Sequence, residues 1–132
     1  MTAPRTTAPL DAPAGIPLAE VAELLGARAV VHGERIDGVR IVRVAASNLV
    51  SDLLAQAGGA SLLLSELRGP ELVRIAGLFD VPSICLAGTQ DLGDDLLRAA
   101  RDAGTVLIAT PRDLAAACRR LVLRGLLPGE LP

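Results

Sequence analysis

The sequence predicts an α/β fold: a single three-layer α/β/α-type domain with a mostly parallel sheet of about five strands. Residues 60–64, 83–87 and 105–109 are short, almost wholly apolar runs, as expected of strands covered on both faces. Each is followed by a segment with apolar residues at helical spacing. The run starts lie 22 to 23 residues apart, a spacing that suits β-α-β crossovers. It is a topological period, because the residues themselves do not recur.

In chain order, residues 1–15 are rich in Ala, Pro and Thr and predict a flexible arm with too little apolar surface to order itself. Structure is expected from Ile16-Pro17. Leu18, Val21, Ala22 and Leu25 mark an amphipathic helix that Gly26 stops. Residues 28–32 form a short strand, Gly33-Glu34 a turn, and Asp37-Gly38 a second turn. Residues 39–46 predict one strand, with Arg40 and Arg43 placing it near a sheet edge. A strand-to-helix junction follows, with Ser47, Asn48 and Ser51 read as capping groups and Asp52 as the residue there whose role capping does not settle, and Gly58-Gly59 ends that helix. Pro70 opens the next helix, with Leu72, Ile75, Ala76 and Phe79 at helical spacing. Residues 91–103 form another, whose Asp91, Asp94 and Asp95 complement the helix dipole. In the last helix, over 110–124, Thr110 is expected to cap, Pro111 to take the first position and Asp113 to complete a box-like pair. Gly125 closes it. The domain is thus expected over 16–125, with a tail at 126–132.

Composition narrows the function. The 132 residues suit one domain, and a hydrophobic content of 51% excludes a disordered chain. Phe79 is the sole aromatic residue, so there is no platform for stacking bases, and no nucleic-acid partner is expected. The net charge is −2 and every basic residue is Arg, for which a high-GC coding sequence accounts. Without Lys there is neither Schiff-base chemistry nor a P-loop lysine. Cys85 and Cys118 sit among apolar neighbours without metal-type spacing and read as reduced thiols of a cytoplasmic protein. No apolar run is long enough to span a bilayer, and neither membrane, metal nor cofactor is expected.

Strand C-termini of a parallel sheet converge on one edge, where ligands bind. That edge collects Ser47, Asn48, Ser51 and Asp52, then Ser65 and Glu66, then Gly88, Thr89 and Gln90, then Thr110. The expected ligand set is Ser47, Asn48, Ser51, Asp52, Ser65, Gly88, Thr89 and Thr110, small polar groups beside helix N-termini that suit a small anionic or polar ligand. Each also has a purely capping interpretation. Catalytic patterns are poor. His32, the only histidine, has no partner nearby in sequence, and no nucleophile elbow or glycine-rich phosphate motif occurs.

The N-terminal helix 18–25, the Gly33-Glu34 turn, and the strand leading into Ser47-Asn48-Leu49-Val50-Ser51-Asp52-Leu53-Leu54 together resemble the DRTGG domain family. This fold is similar to the N-terminal domain of bacterial HPr kinase/phosphorylase and the middle domain of some phosphate acetyltransferases. The resemblance covers about residues 16–124. Where such domains tend to carry a Thr-Gly-Gly-like turn, this chain has Gly88-Thr89-Gln90. The resemblance implies a bacterial, non-catalytic regulatory or ligand-sensing domain, often dimeric, binding a small anionic metabolite or nucleotide. The alternatives are a homodimeric protein-interaction module without a small-molecule ligand and a small phosphoryl- or acyl-transfer enzyme.

Overall fold

The computed structural model describes residues 15–88 and 91–127. The expectations for the arm over 1–14, for Thr89 and Gln90, and for the tail over 128–132 lie outside the described residues.

The chain opens with β1 (Ile16–Pro17), α1 (Leu18–Leu25) and β2 (Arg28–Val31), then a 3-10 turn over Gly33–Arg35. It continues through β3 (Arg40–Ile41), β4 (Val44–Ala46), α2 (Val50–Gln56), β5 (Leu62–Ser65) and α3 (Glu71–Phe79). It ends with β6 (Ser83–Leu86), α4 (Asp94–Ala103), β7 (Val106–Ala109) and α5 (Leu114–Leu123). The main sheet has five strands in the order β2-β7-β6-β5-β4. The pairs β4–β5, β5–β6 and β6–β7 are parallel, and only β2 runs antiparallel, against β7. A mostly parallel five-stranded sheet is what the apolar runs predict.

Alternation along each strand sends side chains to two cores. Ala45, Leu63, Ile84 and Leu107 are cross-strand neighbours and pack with α2, α3 and α4 through Leu53, Leu72, Ile75, Leu96 and Ala100. Ala46, Leu64, Cys85 and Ile108 face the opposite way, onto Leu18, Val21 and Leu25 of α1 and Ala117 and Leu121 of α5. Leu126 and Leu127 are buried in this same layer. The strand order advances one way from β4 to β7 while all three crossover helices stay on one face, so the crossovers share one hand. After β7 the chain passes to the other face as α5.

Three expectations are corrected. The single strand over 39–46 is two, β3 and β4, in different sheets. The Ser61 hydroxyl accepts from both Val42 N (2.8 Å) and Arg43 N (3.2 Å), which takes these amides out of any ladder and bends the chain. Arg43 then turns away to donate to Gln56 O and Gly58 O at the end of α2. The cap of α5 is Asp113, whose carboxylate accepts from Ala116 N at 2.8 Å. Thr110 is instead fully buried and donates to Leu25 O at 2.7 Å, tying the end of β7 to the end of α1. The fourth helix starts at Asp94, behind Gly93, rather than at Asp91.

β4 is an edge strand, and its exposed backbone is partly covered. The Gln56 side-chain amide accepts from Ala46 N (2.9 Å) and donates to Ala46 O (3.4 Å), as a neighbouring strand would.

Candidate functional site

At the C-terminal edge of β4 and β5, α2 leaves on one face of the sheet and α5 lies on the other. The helices diverge there, the kind of crevice where open α/β sheets take ligands. The cleft has a volume of about 460 Å³. One wall is Ser47, Asn48, Leu49, Asp52 and Gln56, the other Asp113, Leu114, Ala115 and Cys118, with Ala46 and Glu66 between. Asp52 and Gln56 share a wall because they are one helical turn apart on α2.

Hydrogen bonds join the walls. Asn48 Nδ2 donates to Glu66 Oε1 at 2.9 Å, and Glu66 N donates back to Asn48 Oδ1 at 2.7 Å. The other carboxylate oxygen, Glu66 Oε2, accepts from Leu114 N at 2.8 Å in the first turn of α5. Ser47 Oγ accepts from Leu49 N (3.0 Å) and donates to Asp52 Oδ2 (3.1 Å). Ser47 and Asn48 therefore do not cap α2 directly: its N-cap is Leu49, which makes no side-chain cap bond. Ser47 braces the turn before the helix, and Asn48 reaches across to the end of β5.

Of the expected ligand set, Ser47, Asn48 and Asp52 line the cleft. Ser51 is exposed on α2 and is not part of the lining. Ser65 is fully buried, with its hydroxyl accepting from Leu67 N at 3.1 Å. Gly88, at φ 66°, is not part of the lining; it lies beside the Glu66 carboxylate, and its carbonyl accepts from Arg68. Thr110 is inside the α1 layer as described, and Thr89 is outside the described residues. Glu66, which stands on the expected edge, joins the site, as do Gln56, Asp113 and Cys118, which sequence reasoning missed. The i,i+4 pairing of Asp52 with Gln56 is the signal that points to Gln56. For Cys118, a helix-face position shared with Leu114 is the only trace.

The cleft is acidic. Asp52, Glu66 and Asp113 line it and no Arg does. Cys118 is half-buried there, and burial pushes its thiol pKa up, which disfavours the nucleophilic thiolate. Cys85 is free as well and deep in the core. Among the described residues no group of His, Cys, Asp and Glu is arranged to hold a metal ion. His32 lies elsewhere, with Nε2 3.1 Å from Arg101 O and Nδ1 3.7 Å from Glu34 Oε2. Among the described residues no helix is long and apolar enough to cross a membrane.

No family model and no curated protein matches the chain. Among solved structures it is similar to the CBS and DRTGG domains of the regulatory region of Clostridium perfringens pyrophosphatase, crystallised with the activator diadenosine tetraphosphate. The TM-score is 0.60 at 19% identity, over 80% of this chain and 46% of that one. This chain thus spans less than half the length of the structure it resembles, and the likeness is one of fold. The fold is DRTGG-like, as the junction at residues 47–54 predicts.

Proposed function

We propose that this chain is a non-catalytic regulatory domain that senses a small molecule in the cleft between α2 and α5. The carrying observation is that the polar groups of the cleft are engaged with one another across its walls. Glu66 in particular is held from both sides. Such an arrangement makes cleft shape depend on what occupies it, and it leaves no group poised as nucleophile and base together. The likeness in fold to a regulatory region crystallised with a nucleotide activator supports this reading.

The lining directs the choice of ligand. Three carboxylates and no Arg oppose an anionic group on the cleft floor. The nucleoside part of a nucleotide is better matched: amino, imino and ribose hydroxyl donors to Asp52 and Glu66, and apolar ring surface to Leu49, Leu114 and Ala115. The volume is in the range of small-molecule sites. A thermal-shift series with nucleosides, nucleotides, diadenosine polyphosphates, acyl phosphates and coenzyme A tests it. A ligand at 100 times its Kd adds about 2.7 kcal/mol to stability. Stabilisation that Asp52→Asn weakens is the expected result, and no stabilisation by any of the series sinks the proposal.

A second reading, a homodimeric interaction module, rests on Val42, Leu49, Val50 and Leu54. These large apolar side chains are exposed together around β4 and α2. Light scattering that finds a monomer at every concentration removes it.

A further inference from the structure

The strongest unexplained feature of the cleft is Glu66. Its two carboxylate oxygens serve different walls. Oε1 takes Asn48 Nδ2, in the turn that precedes α2, and Oε2 takes Leu114 N, in the first turn of α5. Its own amide is held by Asn48 Oδ1, so the residue is pinned at both ends of its side chain. The two helices lie on opposite faces of the sheet and share no core cluster: Leu53 packs in one, Ala117 and Leu121 in the other.

We infer that Glu66 is a strap across the cleft, a positioning residue that couples the Asn48 turn to the N-terminus of α5. A molecule entering the cleft competes for the Asn48 amide or the Glu66 carboxylate, and whatever it takes from one wall is withdrawn from the other. The geometry supplies a regulatory device: occupancy is read out as a change in the anchoring of α5. The regulatory meaning rests on the ligand-sensing reading above. The coupling does not, since it is a property of the ligand-free protein, so the two fail separately.

The test is amide hydrogen exchange by NMR on the full chain without ligand. Asn48→Ala removes one end of the strap and touches no residue of α5. The coupling requires the Leu114 amide to exchange about 3- to 5-fold faster in this variant, the effect of weakening one hydrogen bond. Amides of α4 between residues 97 and 103, which the strap does not reach, keep their wild-type rates. Glu66→Gln also speeds Leu114, because a neutral amide has one acceptor oxygen, weaker than a carboxylate's, for the two donors Asn48 Nδ2 and Leu114 N. In the Asn48→Ala, Glu66→Gln double variant the two effects fail to add, as expected of residues acting through one contact. An unchanged Leu114 rate in Asn48→Ala, with the Glu66 amide accelerated, overturns the strap. So does equal acceleration of α4 and α5, which marks general destabilisation, and so does simple additivity in the double variant.

Discussion

Raising the pH from 8.5 to 11 should strip this protein of stability through one buried thiol. Cys85 is fully buried between the sheet and the α1–α5 layer, and burial pushes its pKa from 9.0 up to about 12. The folded state therefore holds the thiol proton where the unfolded chain releases it. The contribution is fully present below pH 9 and is lost as the pH rises toward 12. At pH 11 the unfolded chain has gained two units of ionisation free energy that the folded state has not, about 3 kcal/mol. Against a typical domain stability of about 5–15 kcal/mol, that is a large fraction. Cys118, half-buried with its pKa raised by the same cause, adds in the same direction.

The window is unusually clean because the chain has neither Lys nor Tyr, the groups that otherwise titrate there. Urea unfolding followed by far-UV circular dichroism, under reductant, at half-unit steps of pH measures it; with no Trp or Tyr, fluorescence has little to report. The wild type should lose stability at a slope approaching about 1.4 kcal/mol per unit above pH 9. Cys85→Ala, or Cys85→Val if the smaller residue leaves too large a void, should remove most of that slope. A flat wild-type profile to pH 11, or an unchanged slope without Cys85, refutes the reasoning.

Three further outcomes follow from single contacts. Gln56→Ala uncovers Ala46 N and O on the edge strand; it should cost about 1 kcal/mol in urea unfolding and increase concentration-dependent association in light scattering. Asp113→Ala removes the cap of α5 and should cost about 1 kcal/mol, with Asp113→Asn close to wild type. Thr110→Val deprives Arg112 N of its acceptor, while Leu25 O keeps Arg112 Nε at 3.0 Å. The cost should be about 1–2 kcal/mol by thermal unfolding, less than a fully orphaned carbonyl would give.

The layered architecture was legible because burial on two faces leaves a run such as Leu62-Leu63-Leu64 no polar position, and because each following helix repeats its apolar residues at 3.6-residue spacing. What was not legible depends on partners distant in sequence. The break between β3 and β4 is made by Ser61, 18 and 19 residues downstream of the amides it takes. Thr110 followed by Pro111 has the local form of a helix start. The hydroxyl is claimed by Leu25 O, 85 residues away, and the cap passes to Asp113. Local capping chemistry identifies candidates, and tertiary burial chooses among them.

The same competition explains why the sequence, which points to the strand-end edge, leans toward an anionic ligand there. Helix N-termini at strand ends carry free N–H groups, and an anion is the natural guest for them. Here the protein's own oxygens already hold three of the backbone donors at these helix starts. Leu114 N is held by Glu66, Ala116 N by Asp113 and Leu49 N by Ser47. Glu66 in effect stands where an anionic ligand would, as a built-in guest supplied by the neighbouring strand. With those three amides held and three carboxylates lining the cleft, its side chains offer mainly acceptor capacity. A carboxylate oxygen offers more lone pairs than these single contacts use. On the ligand-sensing proposal the ligand brings donors, and the discriminating comparison is a nucleoside against its own phosphate ester: the nucleoside should stabilise the protein more, and the reverse order would show that the built-in carboxylate is displaced rather than addressed.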